Sequence, residues 1–240
     1  ELVLLPIVES AFDPFAYSHG RAAGMWQFIP GTGKRFGMEQ TWWYDGRRDV
    51  VASTQGALDY LTYLANMFDG NWLHALAAYN SGEGRVSKAI RANKKAGKPT
   101  DFWNLNLPKE TRAYVPKLLA LADILKNKDE YAYAWPEVEN VAVIEVVDIG
   151  SQVDLAFAAE LAGMSLKELH GLNPGFNRWA TSPEGPHRLV LPLDKAAAFS
   201  QALAKIDQKE RLNWVRHSVK PGDSLGKIAK QYHTTVKVLK

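Results

Sequence analysis

Two stretches of this chain repeat one another at a constant offset. Leu155, Ala159, Ser165, Leu166, Lys167 and Leu169 recur as Leu225, Ala229, Thr235, Val236, Lys237 and Leu239. A repeat this short is one supersecondary unit rather than a whole domain. In its first copy, Val141 to Ile149 is rich in β-branched residues and reads as a strand. Two short helices follow, the second capped by Ser165 and running from Leu166 to Leu172. Arg188-Leu189-Val190-Leu191-Pro192 returns as a second strand. The predicted unit is β-α-α-β over residues 141–194. The second copy opens near Trp214 and stops at Lys240, partway through its second helix, so 213–240 reads as an incomplete copy. Asp194 to Leu212 is Ala-rich and predicts a connecting helix over 195–212.

Residues 1–130 follow a different pattern, dominated by helical periodicity. Asp13-Pro14 predicts the end of a first helix, because the residue before proline avoids the α region. Residues 17–48 are rich in Gly and aromatics and predict loops with short helices. Asp49 is placed to cap a helix from Val50 to about Phe68, with Val51, Leu58, Leu61, Leu64, Ala65 and Phe68 on its apolar face. Asn71 is placed to cap a second, Trp72 to Tyr79. Gly82 and Gly84 break the pattern before a helix from Arg85 to Lys95. A last helix runs from about Lys109 to Lys126, kinked or split at Pro116. Residues 131–140, with Pro136, read as a linker. The fold class expected is α+β, mainly α.

Composition narrows the chemistry. The 240 residues contain no cysteine, so disulfides, thiol nucleophiles and Cys-based metal sites are excluded. A formal net charge of +3 is too mild to imply nucleic acid. No apolar run of roughly 18 residues is present to span a bilayer. The six His show no His-x-x-x-His pair, so no metal is expected. Gly31-Thr32-Gly33-Lys34 imitates a phosphate loop but has Phe28 and Arg35 at two required positions. There is no Gly-x-Ser-x-Gly elbow. The chain opens at Glu1 inside an apolar pattern and reads as a fragment, with any export signal or lipid anchor expected upstream.

Glu9 is the residue with the clearest chemical potential. It follows Leu4-Leu5-Pro6-Ile7-Val8, and a carboxyl among apolar groups is disfavoured in its charged form. It would hold a proton near neutral pH, as a general acid must. Three other elements join it in order: Gly24-Met25-Trp26-Gln27-Phe28, Ala78-Tyr79-Asn80-Ser81-Gly82 and Glu110-Thr111-Arg112-Ala113-Tyr114-Val115. Ser18-His19-Gly20-Arg21-Ala22-Ala23 flanks the first of these.

Taken in that order, Glu9-Ser10 and these motifs resemble the family 1 lytic transglycosylases, which share a goose-lysozyme-like helical fold. The resemblance covers about residues 1–126. It implies that Glu9 is the sole catalytic acid and base, with Ser10 hydrogen-bonded near it or to substrate. It implies that Gln27 orients a sugar, that Tyr79 and Asn80 position Glu9 and an N-acetyl group, and that Tyr114 brings its hydroxyl to the carboxyl. Met25 and Phe28 would line the groove, with Ser18 in a supporting role. The β-α-α-β units resemble LysM modules, which bind N-acetylglucosamine-containing glycans. The second copy carries their opening, His217-Ser218-Val219-Lys220-Pro221-Gly222-Asp223-Ser224-Leu225. The first departs from it with Gln152-Val153-Asp154 and a long loop through Asn173-Pro174-Gly175, and so reads as a spacer or a brace against the catalytic domain.

The resemblance implies cleavage of the β-1,4 bond between N-acetylmuramic acid and N-acetylglucosamine in peptidoglycan, without hydrolysis. It implies no cofactor, a monomer, and a place in the bacterial envelope at the periplasm or outer membrane. Ordinary glycosidases need two carboxylates. Asp45, Asp49, Glu39 and Glu83 are candidates for a second, with Asp49 favoured as a helix cap and Glu39 and Glu83 as solvated. One of them facing Glu9 would favour a hydrolytic lysozyme. A non-enzymatic wall-binding protein on the same scaffold is the third reading. Arg85, Lys88, Arg91, Lys94, Lys95 and Lys98 read as a solvated face or as a tract attracting an anionic polymer. Trp42, Trp43 and Trp103 are core or sugar platforms, with core favoured for one of the adjacent pair.

Overall fold

The structure is a computed structural model, and it describes residues 2–131, 138–212, 217–232 and 236–239. Most of the expected linker, and Trp214 and Thr235 of the second repeat, lie outside the described residues.

The N-terminal helices are α1 (Leu5–Ser10), α2 (Pro30–Arg35), α3 (Val50–Met67), α4 (Trp72–Ser81), α5 (Glu83–Lys95) and α6 (Lys109–Lys126). They enclose a core that includes Leu5, Trp26, Phe28, Met38, Leu61, Leu64, Val86 and Tyr114. Asp49 caps α3 by accepting from Ala52 N at 2.8 Å, and Asn71 caps α4 by accepting from His74 N at 3.2 Å. The buried stripe of α3 runs through Ala57, Tyr60, Leu61 and Leu64. Leu58 sits one position off that stripe and faces solvent, against expectation. The first helix ends at Ser10, earlier than Asp13-Pro14 predicts, because Ala11 turns left-handed, its N–H bonding back to the Ile7 carbonyl and the N–H of Phe12 to the Pro6 carbonyl. Pro116 does not split α6. The carbonyl whose bond it forfeits belongs to Arg112, an exposed residue, where water can replace the lost donor.

The C-terminal part is a β-α-α-β unit closed by a further helix. Its elements are β1 (Ile144–Asp148), α7 (Leu155–Leu161), α8 (Leu166–Leu172), β2 (Arg188–Pro192) and α9 (Leu193–Leu203). The strands are antiparallel, with Val146 opposite Val190. Ser165 and Glu168 form a capping box at α8. The Ala-rich segment is shorter than predicted and is not a free connector. Ala196, Phe199 and Leu203 of α9 enter the module's core. The chain then turns, and Arg211 folds back to donate to the carbonyls of Ile149 (2.7 Å) and Leu203 (3.2 Å). The second repeat contributes α10 (Leu225–Gln231), capped by Ser224, and α11 (Val236–Leu239).

The first module is fastened to the helical domain. Tyr44 is buried in the module's core against Phe176. Backbone bonds join Asp45 N to Gly175 O and Asn177 N to Trp43 O, both at 2.8 Å. Asp49 works as more than a cap: its Oδ2 accepts from Tyr44 Oη at 2.8 Å and from Arg188 at 2.9 Å. Gly175 allows this approach, since a Cβ there would stand 2.7 Å from the Tyr44 ring.

Candidate active site

A cavity of about 700 Å³ opens in the helical domain. Val8, Glu9, Ser18, Gln27, Phe28, Tyr79, Asn80 and Tyr114 line it, so most of the residues singled out in the sequence meet here. Their positions follow from local structure. Glu9 projects from the last turn of α1, which is anchored by the buried Leu5. Tyr79 and Asn80 close α4, and Tyr114 projects from α6. The loop from Ser18 to Phe28 forms a wall. It turns at Gly24 (φ 77°), where a Cβ would fall 1.9 Å from the Arg47 carbonyl oxygen. Arg47 is itself paired with Asp45 at 2.7 Å and donates to the carbonyls of Arg21 (2.7 Å) and Phe28 (3.1 Å), which fixes that wall from behind.

Tyr114 Oη donates to Glu9 Oε1 at 2.5 Å. Burial raises the pKa of Glu9, the Tyr114 bond lowers it and the charge of Glu110 raises it, leaving it pushed up to about 7. Burial, with the neighbouring Glu9 charge, pushes the Tyr114 and Tyr79 phenols well up, so both stay protonated as donors. Tyr79 Oη donates to Trp26 O at 2.8 Å rather than to Glu9. Asn80 Oδ1 accepts from Thr111 at 2.8 Å, which turns its NH2 toward the cavity as a donor. Gln27 donates to Gly24 O at 2.8 Å and Ala16 O at 3.4 Å, leaving its carbonyl oxygen to accept. Ser18 Oγ accepts from Ala22 N at 3.0 Å.

Two expected residues stand behind the wall instead of in it. Ser10 Oγ donates to Met25 O at 3.0 Å, which staples α1 to the loop. The Met25 side chain packs against the core. Ser10 and Met25 therefore support the cavity without lining it.

Glu83, read from sequence as solvated, lines the cavity. Its Oε1 pairs with Arg35 at 2.9 Å and its Oε2 accepts from Tyr60 Oη at 3.3 Å. Burial works to raise its pKa, but its own backbone N–H, Arg35 and Tyr60 outweigh that and hold it below the ordinary value. The sequence offered it as a candidate second carboxylate but placed it in a Gly-flanked break before a helix from Arg85, whereas that helix begins at Glu83 itself. Asp45 and Asp49 lie outside the cavity, in the Arg47 and Arg188 pairs. Glu110 lines the cavity one helical turn before Tyr114. Among the described residues there is no cluster of three or more His, Cys, Asp or Glu suited to a metal.

One carboxyl tuned to hold a proton, in a polar groove of a helical domain that carries a β-α-α-β module, defines a two-part protein with an acid-bearing cleft. Comparison with known proteins gives the family. Residues 1–102 match the transglycosylase SLT domain, 143–208 the LysM-like domain of lytic transglycosylase MltD, and 217–240 the LysM domain. The chain is 46% identical over its whole length to membrane-bound lytic murein transglycosylase D of Escherichia coli, covering 55% of that protein. It is 39% identical to an Alteromonas protein named for tributyltin chloride resistance, over 65% of this chain and 73% of that one. A solved structure of lytic transglycosylase Slt from Pseudomonas aeruginosa is 29% identical over 52% of this chain and 21% of that one, with a TM-score of 0.41. The chain belongs to the transglycosylase SLT family, with LysM-like domains following the SLT domain. It spans about half the length of the E. coli relative.

Proposed function

We propose that this chain is a peptidoglycan lytic transglycosylase with Glu9 as its single acid and base. The observation that carries this reading is Glu9 itself, clasped by Tyr114 and poised at a pKa of about 7 in the wall of a glycan-sized groove. Protonated Glu9 gives its proton to the glycosidic oxygen as the bond to muramyl C1 breaks, and the electron pair leaves with the N-acetylglucosamine 4-oxygen. The N-acetyl carbonyl, aligned by Asn80, shields the positive C1. The 6-hydroxyl then closes on C1 and gives its proton to the Glu9 carboxylate. Atoms balance without water, and the product carries a 1,6-anhydro ring.

The arrangement of the other carboxylates supports this reading over hydrolysis. An inverting or retaining hydrolase sets its second carboxylate across the sugar from the first. Glu110 lies on the same helix as Tyr114, one turn away, and so on the Glu9 side. Glu83 has both oxygens engaged and is not among the charges that shift Glu9. Mass spectrometry of purified peptidoglycan after digestion tests the proposal. Anhydromuramyl ends are expected. Ends heavier by one water would make the protein a muramidase, and no release of soluble fragments would make it a wall binder. The name of the E. coli relative supports a place in the bacterial envelope, which we assign to the periplasm and outer membrane with a lipid anchor on a monomer.

A further inference from the structure

The seam between the two domains carries exposed side chains that neither the active site nor the fastening requires. Trp42 and Trp43 from the helical domain meet Arg178 and Trp179 from the module. The three indoles pack edge to face, with centroids 4.7, 5.3 and 6.0 Å apart. Trp43 is partly buried against the module's core, but Trp42 is 55% exposed and Trp179 49%. The join itself is made by backbone bonds, the buried Tyr44 and the Asp49–Arg188 pair, so it does not require the two outer indoles. Two half-exposed indoles side by side present an aromatic surface open to a ligand. Arg178 adds a charge. Its guanidinium lies 3.8 Å over the Trp42 ring and its Nε donates to Trp42 O at 3.2 Å. Its two Nη groups have no hydrogen-bond partner among the described residues, which leaves four N–H donors, enough for a paired contact to a carboxylate.

We propose that Trp42, Trp179 and Arg178 form a second glycan-binding site for peptide-bearing peptidoglycan strands, separate from the cleavage cavity. The inference rests on the proposed peptidoglycan substrate. Indole faces suit the flat C–H faces of pyranose rings, and the fixed guanidinium suits the carboxylates of stem peptides. Between the platform and the groove lies a second hollow, lined by neighbours in sequence of both. Ile29 and Thr32 of the α2 region face the cleavage cavity, while Pro30, Gly31 and Lys34 face this second hollow, of about 510 Å³. That hollow runs through Glu39, Gln40 and Thr41, the residue before Trp42.

Binding of the full chain to purified sacculi, in a Glu9→Gln background that prevents cutting, tests the site. Trp42→Ala and Trp179→Ala should each weaken binding about fivefold, and Trp179→Tyr, which keeps a flat ring, should restore most of it. Arg178→Ala should weaken binding to intact sacculi but not to sacculi stripped of stem peptides. With Glu9 restored, cleavage of a short soluble substrate that fills only the cavity should be unchanged in Trp179→Ala. Equal affinity of the parent and both Trp variants overturns the inference and leaves the proposed function standing. Equal losses in Trp179→Ala and Trp179→Tyr, tracking a lowered melting temperature, reduce the cluster to structural packing and also overturn it. A parent that neither binds nor cleaves sacculi sinks the proposed function and this inference together.

Discussion

Tyr114 and Glu9 are 105 residues apart in sequence and 2.5 Å apart in space, with the phenol donating to the carboxyl. The bond holds the acid in place and lowers its pKa, against burial and the Glu110 charge, which raise it. Tyr114→Phe removes the lowering contribution. The Glu9 pKa should then rise above about 7, by about one unit for a lost bond to a charged group. The acid form is the competent one, so activity falls as pH rises through this pKa. In Tyr114→Phe that alkaline limb should move to higher pH while the maximal rate drops about tenfold from lost positioning. Rate against pH on solubilised peptidoglycan measures both. A limb that does not move would show that this bond does not tune the acid.

The same pKa makes a statement about stability. Glu9 binds its proton more tightly in the folded chain than at its ordinary value of 4.5. Its contribution is fully present below about pH 4.5 and is lost as pH rises through about 7. The difference is on the order of 3 kcal/mol. Glu9→Gln cannot ionise, so it should be more stable than the parent above neutral pH and close to it in acid. It should also lose activity by about 1,000-fold. Thermal unfolding of both chains across the pH range checks the first part. A stability gap independent of pH would mean Glu9 is not held protonated.

Much of this was legible in the sequence, for definite reasons. Caps are local, so Asp49, Asn71 and Ser165 announced their helices. Glu9 declared itself by its apolar neighbours. Leu58 was misread because two adjacent apolar residues satisfy the helical period about equally, and only packing decides between the resulting stripes. Glu83 was misread because its partners, Arg35 and Tyr60, are distant in sequence and come together only in the tertiary fold. Asp49 shows both limits at once. Its cap was local and visible, while its bond to Arg188 depends on how a separate module docks.

Glu83 should act on binding more than on chemistry. Its carboxylate is held ionised in the cavity wall and is not among the charges that shift Glu9. Glu83→Gln keeps the shape but weakens an acceptor for sugar hydroxyls. KM should rise about fivefold with kcat nearly unchanged, and the alkaline limb set by Glu9 should stay where it is. Stability should change by less than about 1 kcal/mol, because the Arg35 pair is partly exposed. Steady-state kinetics separates the cases, and a fall in kcat of a hundredfold or more would make Glu83 part of the chemistry.

Arg188 lies on a strand of the module, yet its partner caps the helix that follows the cavity's supporting loop. Removing it leaves Asp49 Oδ2 with Tyr44 alone, in a seam where the Asp49 side chain is largely buried. Arg188→Ala should cost about 2 kcal/mol, less than a fully buried pair because Arg188 is partly solvated. Gly175→Ala acts on the same seam from the other side, pressing a methyl to within 2.7 Å of the Tyr44 ring. Something must shift to admit it, at about 1–3 kcal/mol. Tyr44 is followed by Asp45, whose pair with Arg47 holds the Arg21 and Phe28 carbonyls in the cavity wall. Loosening the seam should therefore lower kcat as well as the melting temperature, although neither residue lines the cavity. Denaturant unfolding and kinetics of both variants, each at a temperature where the chain is fully folded, provide the check. Full activity in a folded but destabilised Arg188→Ala would show that the module is fastened to the helical domain without supporting its site.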